Sequence, residues 1–286
     1  MSCSVCPRNC KSRESGFCGV GNQILVGRIA PHFWEEPVIS GTRGSGTVFF
    51  SGCNLRCVFC QNREISRNLV GKALSAAQLH EKISELLESG VHNLNFVTPS
   101  HYALFLADFL EQHRYPVPIV YNCSGYESPD ALQQLRGKVD IFLPDFKYSD
   151  DALALRYSAA PDYVATARAA LEMMYELVGD TAYDSAGMLT KGIIVRHLML
   201  PHHMENTLGV MDLFDTFVKH KKVLFSLMSQ YTPCGDLAAF PALQEPLSAE
   251  EYDNALGYMQ LLGIDGFSQD MESADTAYIP PFSDSI

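Results

Sequence analysis

Three cysteines, Cys53, Cys57 and Cys60 within SGCNLRCVFCQN, carry the most specific chemistry in this sequence. Thiolates are soft ligands suited to iron–sulfur sites, and a [4Fe–4S] cubane offers four iron corners. A loop that supplies three thiolates therefore leaves one iron open to a chelating ligand. The spacing also admits a zinc site completed by a distant His or Cys, or three unrelated buried thiols. The surroundings favour the cluster: small Gly52 precedes the first cysteine, aromatic Phe59 precedes the third, and the loop opens from a strand-like run.

A second group, CSVCPRNCKSRESGFC, brings Cys3, Cys6, Cys10 and Cys18 within sixteen residues. Four thiols close a tetrahedral zinc or a second, fully ligated iron–sulfur cluster, giving a structural or electron-carrying site. The competing reading is a set of redox-active or unliganded thiols near a chain end. Cys123 and Cys234 stand alone among the nine cysteines. The N-terminal MSCSVCPRNC has no apolar h-region, and disulfides are rare where thiols stay reduced. We therefore expect a cytoplasmic protein whose grouped cysteines hold metal.

From Gly46 onward, short β-rich runs alternate with amphipathic helical stretches, the mark of repeated βα units and a parallel sheet. The runs are GTVFFSG (46–52), HNLNFVT (92–98), PIVYNCS (118–124), DIFLPDFK (140–147), GIIVRHLML (192–200) and VLFSLMSQY (223–231). Between two of them, SAAQLHEKISELLESG reads as a helix capped by Ser75 and Gly90, with Leu79, Ile83, Leu86 and Leu87 on one stripe. Right-handed crossovers curl such strands into an α/β fold, a partial (β/α)6 TIM-like barrel with ligand sites at the strand C-termini. We expect residues 1–45 to form a small, irregular Cys-rich module and 46–240 the barrel. Residues 241–286 would add one helix, SAEEYDNALGYMQLLG, and a proline-containing tail.

At 286 residues and 47% hydrophobic composition, the chain can bury a core of that size. Its net charge of −12 and lack of a basic run argue against nucleic acid as a partner, and no apolar stretch reaches membrane-spanning length.

On these motifs the chain resembles the radical S-adenosylmethionine (SAM) superfamily, and within it the iron–sulfur proteins homologous to pyruvate formate-lyase activating enzyme. The likeness covers nearly the whole chain and rests on CxxCPRNC, EEPVISGTRGSGTVFFSGCNLRCVFCQN, NFVTPSH, YNCSGYE, LPDFKY and VRHLMLP. It implies an enzyme that reductively cleaves SAM at a [4Fe–4S] cluster on Cys53, Cys57 and Cys60. The resulting 5′-deoxyadenosyl radical abstracts hydrogen from a substrate. That substrate could be a backbone glycine of a partner enzyme, making this a glycyl-radical activase; a small metabolite or a peptide side chain is the alternative. A reduced flavodoxin- or ferredoxin-type donor is implied as well. The rival from another class is a non-catalytic iron–sulfur or zinc protein for electron transfer or assembly.

The resemblance also assigns a SAM site. Where the activating enzymes carry Gly-Gly-Glu, this chain reads Thr98-Pro99-Ser100, so the amino group of SAM would fall to Thr98, Ser100, backbone carbonyls or His101. Ser100 as a helix N-cap is the alternative. Asn122 and Ser124 could reach the ribose hydroxyls, unless they serve only turn geometry. Asp145 and Lys147, two apart in LPDFK, share one side of the strand while Phe146 turns away. They match the family's DxK motif, which implies contact with SAM; a solvated salt bridge is the plainer reading. Arg196 interrupts an apolar run and needs an anion, either the SAM carboxylate or Asp145. His197, on the opposite face, reads as a satisfied core histidine. Gln230 and Tyr231 border the adenine or substrate, or simply end a strand. Glu35 and Glu36 could bind substrate or metal, though a solvated acidic turn is the commoner explanation.

Overall fold

A computed structural model describes residues 2–14, 16–269 and 282. Its strands are β1 (Ile24–His32), β2 (Ser45–Phe50), β3 (Lys72–Leu74), β4 (Leu94–Val97), β5 (Ile119–Cys123), β6 (Ile141–Pro144), β7 (Ala182–Tyr183), β8 (Leu189–Leu198), β9 (Leu224–Met228) and β10 (Gly266–Ser268). The six expected runs are β2, β4, β5, β6, β8 and β9. They lie side by side in that order, all parallel. β10 adds a short seventh parallel strand beside β9. The sheet runs from β10 at one edge to β3 at the other without closing, so the barrel is partial.

The helices cover the outer face for the reasons read from their sequence. Ala76–Glu88 starts at Ser75, whose hydroxyl accepts from the Gln78 N–H while the Gln78 side chain accepts from Ser75, a reciprocal capping box. Leu79, Ile83 and Leu86 are buried, each such side chain contributing about 1.5–3 kcal/mol. Ala249–Leu262 is built alike, with Ser248 and Glu251 at its start and Gly263 in the left-handed conformation at its end. The proline-containing tail beyond it lies outside the described residues. No helix among the described residues is long and apolar enough to cross a membrane.

Residues 1–45 are more ordered than the expected irregular module, because β1 is a nine-residue strand antiparallel to β2. Its register slips between Val26, opposite Phe50, and Arg28, opposite Phe49, leaving Gly27 as an extra residue. This bulge turns Arg28, Ala30 and His32 toward the barrel interior together with Phe49, Thr47 and Ser45. The short helix Pro37–Ser40 then plugs the lower barrel. Its Ile39 is buried against Val120, Leu143 and Ile194 in a compact apolar cluster. The plug also draws the preceding acidic residues inside.

Candidate active site

The cysteine loop leaves β2 through Gly52, which has φ +83° and backs onto the N-terminal module. A Cβ there would sit 2.5 Å from Val20 Cγ1 and 2.7 Å from the Cys18 carbonyl, so no other residue fits. Each of the three sulfurs has a polar neighbour. The Leu55 N–H donates to Cys53 Sγ at 3.3 Å, the Ser158 hydroxyl to Cys57 Sγ at 2.9 Å, and Cys60 Sγ lies 3.3 Å from Ser66 Oγ. Burial pushes the Cys53 and Cys57 thiols up, and the charge of Lys147 pulls both back. Three free thiols, hydrogen-bonded at sulfur and beside a cation, fit the donor set of a cluster with one open iron.

Cys57 and Cys60 open onto a cavity of about 220 Å³, lined also by Asn122, Asp145, Lys147, Arg196 and Gln230. Arg196 organises its polar wall. Its Nε donates to Asp145 Oδ1 at 2.9 Å, one Nη to Glu35 Oε2 at 3.0 Å, and the other to Asn122 Oδ1 at 2.7 Å. Lys147 Nζ donates to Asp145 Oδ2 at 2.6 Å. Burial alone would raise Asp145, but Arg196 and Lys147 outweigh it and hold the carboxyl below its usual range. Burial likewise opposes the charge on Arg196, and Asp145, Glu35 and Glu36 more than compensate.

Glu35 is no solvated turn. It accepts from Asn95 at 3.2 Å and Asn122 at 3.0 Å in addition to Arg196. Glu36 is buried too, its Oε2 without a hydrogen-bond partner, and burial raises both carboxyls. Their placement depends on the plug at Pro37–Ser40, which no local pattern announces. His32 and Trp34 also line the cavity and were not among the expected site residues; the motif HFWEEP is their signal.

The other expected residues divide. Thr98 ends β4 with φ +59°, an uncommon conformation for a β-branched residue, beside the cavity-lining Val97. Ser100 does not cap a helix: its hydroxyl donates to the buried carboxylate of Glu127, which also accepts from the Tyr121 hydroxyl at 3.1 Å. His101 donates through Nε2 to the Ser51 carbonyl at 2.9 Å, and burial lowers it to about 4. Ser124 Oγ lies 3.4 Å from the Asn54 amide oxygen, away from the cavity lining. Gln230 lines the cavity, whereas Tyr231 donates to the Leu243 carbonyl at 2.6 Å. His197 is the satisfied core histidine expected, with Nδ1 on the Phe146 carbonyl at 2.8 Å and Nε2 on the Thr207 hydroxyl at 3.0 Å.

The N-terminal thiols gather behind the cysteine loop. The Cys3 N–H donates to the Cys10 carbonyl at 2.8 Å, and the Phe17 N–H to Cys10 Sγ at 3.3 Å. Cys6, Cys10 and Cys18 lie within electrostatic reach of one another, and burial pushes the Cys6 thiol up to about 12. Among the described residues, no three His, Cys, Asp or Glu side chains are grouped so as to hold one metal ion. Arg8 fastens this module down. It donates to the Asn54 carbonyl at 2.7 Å and the Ala159 carbonyl at 2.5 Å, its guanidinium 3.8 Å from the Phe17 ring centre.

Residues 47–192 match the family model of the Radical SAM superfamily. The uncharacterized protein MJ0674 of Methanocaldococcus jannaschii is 26% identical over 276 residues, covering 92% of this chain and 76% of that one. Among solved structures, SuiB of Streptococcus suis is similar in fold with a TM-score of 0.51 at 12% identity, over 77% of this chain and 47% of SuiB. SuiB bound to its precursor peptide SuiA gives a TM-score of 0.50 at 10% identity, over 76% and 46%. The chain thus spans about half the length of these structures, and the likeness is one of fold.

Proposed function

Because this chain belongs to the radical SAM superfamily, we propose that the cavity beside Cys57 and Cys60 is where SAM is bound and cleaved. Cys53, Cys57 and Cys60 hold the [4Fe–4S] cluster in this reading. The observation that carries it is the meeting of two of these thiols with Asp145, Lys147, Arg196 and Asn122 in one cavity. An electron carrier has no use for such a wall. When bound, the cluster and SAM supply one-electron cleavage of the S–C5′ bond and hydrogen abstraction from the substrate.

The residues of this chain supply binding and orientation. The wall pairs its own positive and negative groups, which suits a zwitterionic ligand that exchanges partners without leaving a net buried charge. Arg196 and Lys147 meet the SAM carboxylate, Asn122 the ribose, and Gln230 the adenine. Thr98 offers its hydroxyl to the amino group. Ser100 supports the end of β4 from behind through Glu127, and Ser124, whose hydroxyl faces Asn54, lies beside the site at the end of β5 without lining it.

The substrate reading is drawn from the motifs: a backbone glycine of a partner enzyme, as in glycyl-radical activation. An exposed aromatic group at the cavity supports a peptide-like substrate, since Trp34 lines it and is 60% exposed. SuiB bound to its precursor peptide SuiA is a precedent within the same fold. A reduced flavodoxin or ferredoxin supplies the electron. The spacing of Cys3, Cys6, Cys10 and Cys18 supports a second metal, zinc or iron–sulfur, around which these side chains, not grouped for one ion among the described residues, would have to draw together.

The test is anaerobic. Dithionite-reduced, reconstituted protein should release 5′-deoxyadenosine and methionine from SAM, and its cluster EPR signal should change on SAM addition. Cys57→Ala should abolish both. An unchanged signal and no product from the wild type would favour the electron-carrier alternative.

A further inference from the structure

Arg28 is a cation on the inner wall with no counter-charge among the described residues. The bulge at Gly27 sets it opposite Phe49, which lines the cavity, and on the same face as His32, which lines it too. Gly27 is held there by packing: a Cβ at this position would collide with Ile65, in the turn that follows the cysteine loop. Without the extra residue Arg28 would fall opposite Val48 and point to the outer core. A bulge that re-aims a side chain to the cavity-facing side of its strand is a built feature, and it leaves the half-buried Arg28 beside the cavity, next to the lining residues Phe49 and His32 rather than among them.

Once aimed there, the guanidinium meets no matching group among the described residues. Its Nε and Nη1 are buried and have no hydrogen-bond partner, and no carboxylate offsets the burial that disfavours its charge. Arg196, by contrast, is fully engaged by Asp145, Glu35 and Asn122. Burying charge-bearing donors without a partner is costly, so they mark a place that a ligand completes. The two arginines belong to different walls, since β2, β4, β5 and β6 separate β1 from β8 in the sheet. His32 is within electrostatic reach of both, and its imidazole stays neutral.

We propose that Arg28 anchors an anionic group, a carboxylate or a phosphate, of the molecule from which hydrogen is abstracted. The planar guanidinium presents a fork of donors matched to such groups. This rests on the reading of the cavity as the SAM site, whose own charges are answered on the Arg196 wall. The substrate lies against Phe49 and His32, its anion at Arg28 and its reactive carbon toward the cysteine loop.

The experiment is calorimetric titration of the full chain with inorganic phosphate and, separately, with succinate. The wild type should bind at least one probe, Arg28→Gln should weaken it about tenfold or more, and Arg28→Lys should lose part of that affinity. Exposed Arg43→Gln should bind as the wild type does. Should Arg28→Gln fail to fold, Arg28→Lys carries the comparison. Failure of the wild type to bind either probe, or equal binding by wild type and both Arg28 variants, overturns the proposal. So does a tenfold loss of SAM affinity in reconstituted Arg28→Gln, which assigns the guanidinium to the cofactor's carboxylate instead. Failure of the SAM reading is a separate event, visible as wild-type protein that cleaves no SAM however the anion titrations fall.

Discussion

Arg196 Nε donates to Asp145 Oδ1 at 2.9 Å, so the arginine of β8 and the aspartate that follows β6 form a direct pair. Arg196→Ala leaves Glu35 without its cation and Asp145 with Lys147 alone. Loss of one partner from a buried pair costs about 3–5 kcal/mol. We expect SAM affinity to fall by about tenfold or more, together with a clear drop in unfolding temperature. His197→Ala removes hydrogen bonds on the opposite face and should cost about 1–3 kcal/mol of stability with little effect on SAM affinity. Equal losses of affinity in spectral titrations of the two variants would place His197 on the ligand side.

Thr98 should respond in opposite directions to one substitution. Its left-handed conformation costs a β-branched residue about 1–2 kcal/mol, which glycine avoids. Thr98→Gly should therefore raise stability, offset in part by glycine's greater unfolded entropy, and weaken SAM binding if the hydroxyl holds the amino group. Unchanged SAM affinity in a stabilised variant would remove Thr98 from the site.

Ser158 tunes the cluster through Cys57. A hydrogen bond to a ligating sulfur stabilises the more negative, reduced state, so Ser158→Ala should shift the reduction potential to lower values with iron content preserved. Redox titration followed by EPR measures it. A potential equal to the wild type's would show that the 2.9 Å contact does not survive cluster binding.

Glu127 gives a pH signature. Burial outweighs the hydrogen bonds it accepts and raises its carboxyl from 4.5 to about 7. The folded protein thus holds this proton more tightly than the unfolded chain. Its stabilising contribution is complete below about pH 4.5 and is lost as pH rises through about 7. Relative to Glu127→Gln, the wild type should lose on the order of 3 kcal/mol across that window. Denaturant unfolding of both proteins at pH 5 and pH 8 provides the comparison; parallel pH dependence would mean that Glu127 ionises freely.

The N-terminal thiols can be separated from the cysteine loop. In Cys6→Ser and Cys10→Ser variants, metal analysis should show loss of zinc, or of a second complement of iron, while the cluster on Cys53, Cys57 and Cys60 remains. Four rapidly alkylated thiols in metal-replete wild-type protein would rule out the second site.

The barrel is readable because each parallel strand is a short apolar run bounded by turn residues, and GTVFFSG and GIIVRHLML are unmistakable in that respect. Asp145, Lys147 and Arg196 are readable for a related reason, being charges that interrupt such runs. β1 escapes because Gly27, its bulge and Pro31 break the alternation that marks a strand. Glu35 and Glu36 resemble solvent-facing acids because nothing beside them in sequence foretells the plug. The partner of Ser100, a carboxylate 27 residues on, is equally invisible to local spacing. β10 is only three residues long, too short to show any period.

The plug has a consequence for biosynthesis. Glu35 waits for a cation 161 positions downstream, and Arg8 for a carbonyl 151 positions away. At roughly 5–20 residues per second, a ribosome needs about 8–30 s to supply the first of these partners. During that interval the nascent amino-terminal hairpin carries two acids that its own neighbours cannot neutralise. Metallocluster delivery to the loop after β2, if it came that early, would meet a half-built pocket open to water and oxygen. The charged wall is therefore complete only once β8 has emerged.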